Sequence, residues 1–516
     1  MERIIKIVPA MLLTISVSAQ NYNDVINFNK CDYVGTARSQ AMGSAFGALG
    51  ADLTSQSINP AGLAAYRATE IGMSIGVDVD KSTSNYNGYK SDDDKISVPF
   101  SNIGASFIFG NTMRENTQGI LSQNFSISYS RLADYNRNAT YSDLYSRNSL
   151  LDYFCIDDKE NNNDILNDEF SGKIANDAGW ITGPFTDEST NTNITFSTNV
   201  WEDPYGDNIL NLDARVDANG LGLIDHIQHV KEKGYKGETS FAYAMNISNK
   251  IYWGASMGIV SMRYKEKVTH YEDYYGTPFD NTNSNFTYTT DLDNQGSGIN
   301  FKAGMIVKPV NALRIGLAVH SPSFMKINER YETSIDGAYD NYIYRSPSGD
   351  YDYNYRTPGK FVGSLAGIIG SYAIVSVDYE MSDYGKSKFK DEDGGSSTYY
   401  DNINKQIENT LKRTQTLRAG IEGRVIECLY LRAGYNMQTT PYKNGILQNS
   451  YKHQAISGGI GFRHNNFFLD AAYVCRTDKG DRWVLPDVTY LYGEDNTAAS
   501  IESKSHNVIV SVGFRF

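Results

Sequence analysis

From Glu70 onward the sequence repeats one pattern, an apolar residue alternating with a small or polar one over about ten residues. Ile71, Met73, Ile75, Val77 and Val79 alternate with Gly72, Ser74, Gly76 and Asp78. Leu429, Leu431, Ala433, Tyr435 and Met437 alternate with Tyr430, Arg432, Gly434, Asn436 and Gln438. A period of two sends such sets to opposite faces of a strand. One face can meet lipid; the other carries charges that lipid would not tolerate. About ten residues is also the length of a tilted transmembrane strand. About 14 such segments stand near 70–79, 100–110, 121–131, 239–249, 251–266, 298–308, 313–333, 355–370, 372–383, 413–424, 429–439, 451–463, 466–476 and 504–516. An even number closes an antiparallel barrel, and closure pairs every backbone group inside the bilayer. The expected fold class is therefore all-β, a transmembrane antiparallel β-barrel of about 14 strands over residues 70–516.

The remaining sequence is consistent with an exported barrel. The mean hydropathy of -0.44 excludes a helical bundle but not a barrel, whose strands show lipid only at every second residue. The 38 Tyr and 45 Gly suit aromatic girdles and close backbone approaches. The net charge of -13, with no basic stripe, argues against nucleic acid as a partner. Arg3 and Lys6 precede an apolar run over 7–17, and Val17-Ser18-Ala19 ends it, so residues 1–19 read as a secretory signal cleaved after Ala19. Short connections, such as Asn249-Lys250, Gly370-Ser371 and His464-Asn465, alternate with long ones at 267–297, 334–354, 384–412, 440–450 and 477–503. Short turns on the periplasmic side and long loops outside are the outer-membrane arrangement; residues 132–237 read as one very long extracellular loop. The last segment places Val508, Val510, Val512, Phe514 and Phe516 on one face. Such an ending resembles the signal read by barrel-assembly machinery, so that machinery and the lipid of a Gram-negative outer membrane are the expected partners.

Residues 20–69 do not alternate. They hold a small, helix-tolerant run, residues 35–49 (GTARSQAMGSAFGAL), and then Asn59-Pro60-Ala61-Gly62-Leu63. Asn before Pro reads as a turn. Together these stretches resemble the N-terminal region of the FadL/TodX family of outer-membrane transporters. The resemblance implies a 14-stranded channel for long-chain fatty acids or aromatic hydrocarbons, plugged by an N-terminal hatch, here residues 20–69. It also implies capture by the outer loops, an apolar pocket, release when the hatch rearranges, and a sideways exit through a gap in the wall. The hatch would contribute Phe46, Leu49, Leu53 and Ile58 to the pocket, with the hatch motif at Asn59, Pro60, Ala61, Gly62 and Leu63.

Other chemistry is sparse. No nucleophile elbow, zinc-protease motif or phosphate-binding loop stands in a convincing context, so no enzyme activity and no cofactor is expected. His226 and His229 stand three apart in residues 223–233, read as a short helix closed by Gly234, without a further ligand at metal-site spacing. Asp158, Glu160, Asn162, Asp164 and Glu169 fit a calcium loop, except that Asn163 stands where Gly is required. Cys31 and Cys428 are placed on the periplasmic side, Cys155 and Cys475 outside, and all four are expected as free thiols. Arg314, Arg418, Arg424, Arg432, Arg463 and Arg515 point inward with Asp78, Glu422 and Asp470. They are expected to bridge wall and hatch, or in one or two cases to meet a substrate carboxylate. The function expected is passive uptake of a small hydrophobic molecule; the alternative is a surface adhesion or structural barrel that presents large loops.

Overall fold

The computed structural model describes residues 22–110, 118–154, 170–182, 186–187, 192–193, 197–198, 223–274, 285–395, 397–443, 451–482, 484 and 498–516. The calcium-loop residues 158–169 and Cys155 lie outside them. The strands of the first part are β1 (Glu70–Tyr86), β2 (Tyr89–Ser97), β3 (Phe100–Phe109), β4 (Ile120–Asp134) and β5 (Arg137–Ser146). Four two-residue strands follow, β6 (Ile181–Thr182), β7 (Thr186–Asp187), β8 (Thr192–Asn193) and β9 (Ser197–Thr198). Next come β10 (Ile224–Ile247), β11 (Ile251–Tyr274), β12 (Asn285–Val310), β13 (Leu313–His320), β14 (Phe324–Asp336), β15 (Ile343–Arg345) and β16 (Gly349–Arg356). The last are β17 (Lys360–Ile369), β18 (Ala373–Asp383), β19 (Lys388–Asp391), β20 (Arg413–Ile426), β21 (Leu429–Gln438), β22 (Lys452–His464), β23 (Phe467–Arg482) and β24 (Ala499–Arg515).

These strands form a closed antiparallel barrel of 14 staves. Four staves consist of two consecutive strands each: β2 with β3, β4 with β5, β13 with β14, and β16 with β17. The barrel closes where β1 pairs with β24, from Glu70 opposite Arg515 to Asn85 opposite Ser500. Alternation sets what each face meets. Ile71, Met73, Ile75 and Val77 of β1, Val508, Val510 and Phe514 of β24, and Ile299, Phe301 and Met305 of β12 are all exposed. They belong to a continuous apolar belt around the outside, and a belt of that size is stable only against lipid. The chain is thus a membrane-spanning barrel of the outer-membrane type.

Some staves are far longer than a membrane needs. β10 and β11 have 24 residues each and β12 has 26, whereas about 9–11 cross a bilayer. The outward face of β11 changes from Trp253, Met257 and Ile259 to Arg263, Lys265 and Lys267 while its ladder with β12 continues unbroken. The strands therefore run on beyond the lipid. This corrects two expectations. Residues 132–237 are not one long loop, because β4 extends to Asp134, β5 takes 137–146 and β10 begins at Ile224. Residues 223–233 are not a helix: His226, Gln228, Val230 and Glu232 are buried, and the residues between them are less so. That is period two, and Gly234 lies within the strand instead of capping a helix.

Two staves read as single strands are broken. Residues 313–333 divide at Ser321-Pro322-Ser323 and 355–370 at Thr357-Pro358-Gly359. Proline has no N–H to give a ladder, so pairing stops on both sides of it. The two breaks face each other across the stave pair, and Thr357 N donates to Ser323 O at 3.1 Å. Connections at residues 248–250, 311–312, 427–428 and 465–466 are tight, while the opposite end carries β15, β19 and a 13-residue helix (Thr398–Thr410). The tight end is periplasmic by the same rule as before. A tag inserted near residue 395 should therefore label on intact cells, and tags near residues 250 and 311 should not. Equal labelling of all three sites would overturn this orientation.

Candidate functional site in the barrel lumen

The inner faces of the staves are small and polar, and an N-terminal segment occupies the space they enclose. It holds α1 (Tyr22–Asn29), α2 (Ala37–Ala41), α3 (Ser55–Ile58) and a 3-10 turn, Pro60–Ala65. Nearly every residue from Tyr33 to Ala64 is buried. Its partners lie on staves all around the ring. Ala37 N donates to Ser511 Oγ of β24 at 2.7 Å, Gly47 N to Asp378 of β18 at 2.8 Å, and Arg314 of β13 to Leu49 O at 2.5 Å. His320 Nε2 lies 2.8 Å from Ile58 O, and Ser57 Oγ is 3.3 Å from Glu238 of β10. A segment bonded to opposite walls through their inward side chains must sit on the barrel axis.

Glycine lets it sit so close. A Cβ added at Gly434 of β21 would stand 2.1 Å from Gly43 N, and one at Gly316 of β13 would stand 2.4 Å from Gly47 O. Backbone therefore meets backbone, and any side chain at these wall positions would push the segment away. The five motif residues Asn59, Pro60, Ala61, Gly62 and Leu63 form a tie within the segment. Asn59 accepts from Ala61 N at 3.1 Å, capping the turn that Pro60 opens, and its Nδ2 donates to Gly47 O at 2.6 Å. Gly62 packs on Gly50, where a Cβ would come within 2.9 Å of the Gly50 Cα.

Charges bind segment to wall. Arg38 grips Glu422 of β20 with Nε and Nη2, both at 2.9 Å. Glu422 also receives Arg432 Nε at 2.7 Å, and Arg432 Nη1 reaches Asp470 at 2.6 Å. Arg418 pairs with Glu380 at 2.8 Å and lies over the Tyr33 ring. Arg515 pairs with Glu70 at 2.6 Å, and Asp78 accepts from Ser505 at 2.6 Å. Arg463 stacks on Tyr430, with no carboxylate in salt-bridge range among the described residues. Arg424 is half-buried near the periplasmic end. Arg418 and Arg432 are thus committed to the protein's own carboxylates.

The pocket assignment fares differently. Phe46, Leu49, Leu53 and Ile58 are all buried. Phe46, Leu49 and Ile58 pack in one core with Met42, Leu132, Val362 and Ala366. An opening of about 40 Å³, partly continuous with solvent, lies above this core. Its lining includes Lys236, Glu238, Lys302, His320 and Lys360, with Asn29, Cys31 and Tyr33 from the N-terminal segment. Lys302 pairs with Glu238, and Lys360 with Glu380 at 3.2 Å. Lys236 bonds the Phe28 carbonyl at 2.6 Å and has no carboxylate in salt-bridge range among the described residues. The lysines are inward by strand parity, although Lys236 lies in a stretch whose sequence reads as loop. Cys31, Cys428 and Cys475 are free. Cys31 lies among these residues toward the outer end, not on the periplasmic side, because α1 begins at the outer mouth and the chain descends through the lumen before it enters β1.

Above the opening an aromatic cluster closes the mouth. Phe28, Tyr264, Tyr353, Tyr355 and Phe389 pack with Tyr400 and Ile407 of α6 (Thr398–Thr410). Two short helices of the outer part, α4 (Leu150–Phe154) and α5 (Gly172–Asp177), belong to a separate core. The wall itself is interrupted on one side. β2 forms a ladder with β1 alone, and at Pro99 the stave changes course: Gly76 N bonds Pro99 O at 2.9 Å, and the β1–β3 register shifts at Ser74/Ile75. This level carries Ile75 and Val77 on the lipid side.

No family model matches the sequence, and no curated protein matches it. Solved structures do match. A Pseudomonas aeruginosa FadL homologue superposes with a TM-score of 0.53 at 13% identity, over 93% of this chain and 98% of that one. This chain has the FadL fold. A TodX monoaromatic hydrocarbon channel variant (deltaS2) gives 0.51 at 11% identity, and the CymD monoaromatic hydrocarbon channel 0.50 at 11%; each match covers 94% of this chain and 99% of the other. At these identities the FadL likeness establishes architecture, and ligand chemistry has to be argued from the side chains. For Asn59→Ala, which removes both bonds of the tie and costs about 1–2 kcal/mol, the strand ladder is untouched. The barrel should keep its heat-modifiable migration on gels while passing more small solute in liposome-swelling assays. Loss of the folded barrel would mean that the tie is needed for assembly instead.

Proposed function

We propose that this barrel takes up small hydrophobic molecules passively, and that the preferred ones carry an anionic end, as long-chain fatty acids do. The observation that carries this reading is Lys236, a buried ammonium at the opening beneath an aromatic mouth, held by one carbonyl and no carboxylate among the described residues. A buried cation without an anion is costly, and a ligand carboxylate would complete it with a charge-assisted bond. Lys302 and Lys360 already have partners and would shape the field around it. The ligand's apolar tail would lie along the aromatic cluster, where removal from water favours it at about 25 cal/mol per Å².

The route onward follows from the obstruction on the axis. Residues 33–64 act as the hatch in this reading, and their ties to opposite walls leave axial passage dependent on breaking several bonds together. The discontinuity at Pro99 offers a sideways alternative at lipid level. An apolar solute gains nothing by entering the wet periplasm when lipid is adjacent. Fluorescent fatty acid should bind the purified protein saturably. Lys236→Met should weaken that binding about tenfold, the worth of one charge-assisted bond, and leave a neutral aromatic ligand unaffected. No saturable binding of either ligand class would leave the adhesion reading ahead. Equal weakening of both would remove the role assigned to Lys236.

A further inference from the structure

The extended outer parts of β10 and β11 bring together three side chains that no sequence spacing suggested. His226 stands directly across the ladder from Glu272, and His270 is two residues before Glu272 on the same face. One ligand atom from each of the three lies within 4.8 Å of the others, and all three residues are buried. They lie above the lipid belt: the outward residues of β11 at this height are Thr269, Tyr271 and Asp273. His229 points away from the lumen and bonds Thr140, so it does not join His226.

The proton arrangement is informative. His226 Nε2 is 2.6 Å from the carbonyl of Asn148, which can only accept, so that nitrogen carries the hydrogen. In the neutral ring, Nδ1 then bears a lone pair. This atom is buried without a hydrogen-bond partner and faces Glu272 Oε1 at 3.1 Å. Two electron-rich atoms so placed repel each other unless something positive lies between them. His270 Nε2 converges on the same oxygen at 2.8 Å. The other carboxylate oxygen, Oε2, is held by Ser149 Oγ at 2.6 Å and Tyr274 OH at 2.7 Å.

We propose that His226 Nδ1, His270 Nε2 and Glu272 Oε1 form a binding site for one divalent first-row ion of the zinc class. Two imidazoles and a carboxylate are a donor set of borderline softness suited to such an ion. The surroundings are those of a metal site as well. Ligating histidines donate their other N–H to a carbonyl, as His226 does to Asn148, and ligating carboxylates are fixed by hydrogen bonds, as Glu272 is by Ser149 and Tyr274. The site has a structural purpose. Asn148, Ser149 and Leu150, whose N–H bonds Glu272 at 2.7 Å, lead into α4, and α4 and α5 pack with Trp180 and Phe286 over the outer rim. An ion there would pin this cap to two barrel staves.

The test uses the full-length protein purified in detergent without a polyhistidine tag and stripped with chelator. Titration with Co2+ should give one equivalent of binding and the visible d–d bands of a low-coordinate imidazole–carboxylate site, displaced by Zn2+. His270→Ala should lower affinity at least about 100-fold, more than loss of an outer-sphere partner costs, whereas His229→Ala should not change it. Heat-modifiable migration of each variant confirms that the barrel is folded, since the ladders do not depend on these side chains. Loaded protein should also resist proteolytic cutting within residues 148–181 better than stripped protein. No visible Co2+ bands, or the same affinity in folded His270→Ala, would overturn the site and leave a hydrogen-bonded His–Glu–His cluster.

Discussion

Inside a bilayer an unpaired peptide group costs several kcal/mol, so a sheet that crosses lipid must have no edge. Everything else in this molecule adjusts to that condition. Closure requires 14 staves to meet end to end, and the β1–β24 ladder is where the ring completes. Closure also creates a lumen too wide for wall side chains as small as Ser74, Gly316 and Ser511 to fill. The N-terminal segment occupies it, and the same small residues that leave the space open allow the segment's backbone to approach the wall.

Ionic pairing then holds the inside together. Arg38, Glu422, Arg432 and Asp470 form one chain of charge from segment to wall, and Arg418 with Glu380 forms another next to Tyr33. Each ion is buried, so removing one member would strand its partner at a cost of about 3–5 kcal/mol. Such networks fix register more than they add stability. Lys236 differs from the members of these networks, because it lines the opening with a carbonyl as partner and no carboxylate in salt-bridge range among the described residues.

Much of this was legible in the sequence because period two is a strong signal wherever one face meets lipid. Ile71 to Val79 and Leu429 to Met437 could be placed by parity alone, and parity also sent Arg418 and Arg432 inward. Parity failed where the lipid ended. His226 to Glu232 alternate as cleanly as any barrel strand, but apart from Ile227 their outward neighbours are polar, and the stretch reads as helix and loop. Pro322 and Pro358 were visible as residues, yet only the ladder reveals that they split their staves at facing positions. Partnerships across the ring were not legible, since Arg38 and Glu422 are separated by 384 residues. For the same reason the sequence does not show which wall residues pack beside Phe46 and Leu49: Leu132, Ala318, Val362 and Ala366 come from staves distant in sequence.

The position of the seam has a consequence for how the molecule is built. The two staves that close the ring are the first and the last, so the barrel is fastened by the opposite ends of its own chain. Residues 33–64 precede the first stave and end up wrapped by all the others, with Ala37 bonded to Ser511 in the very last one. Once the ring is finished, the aromatic core above and the packed turn of residues 59–63 below stand between them and either end. The curling sheet must therefore already hold the segment when β24 arrives at β1. Seen in this way the segment acts as a mandrel, a former around which the wall is bent.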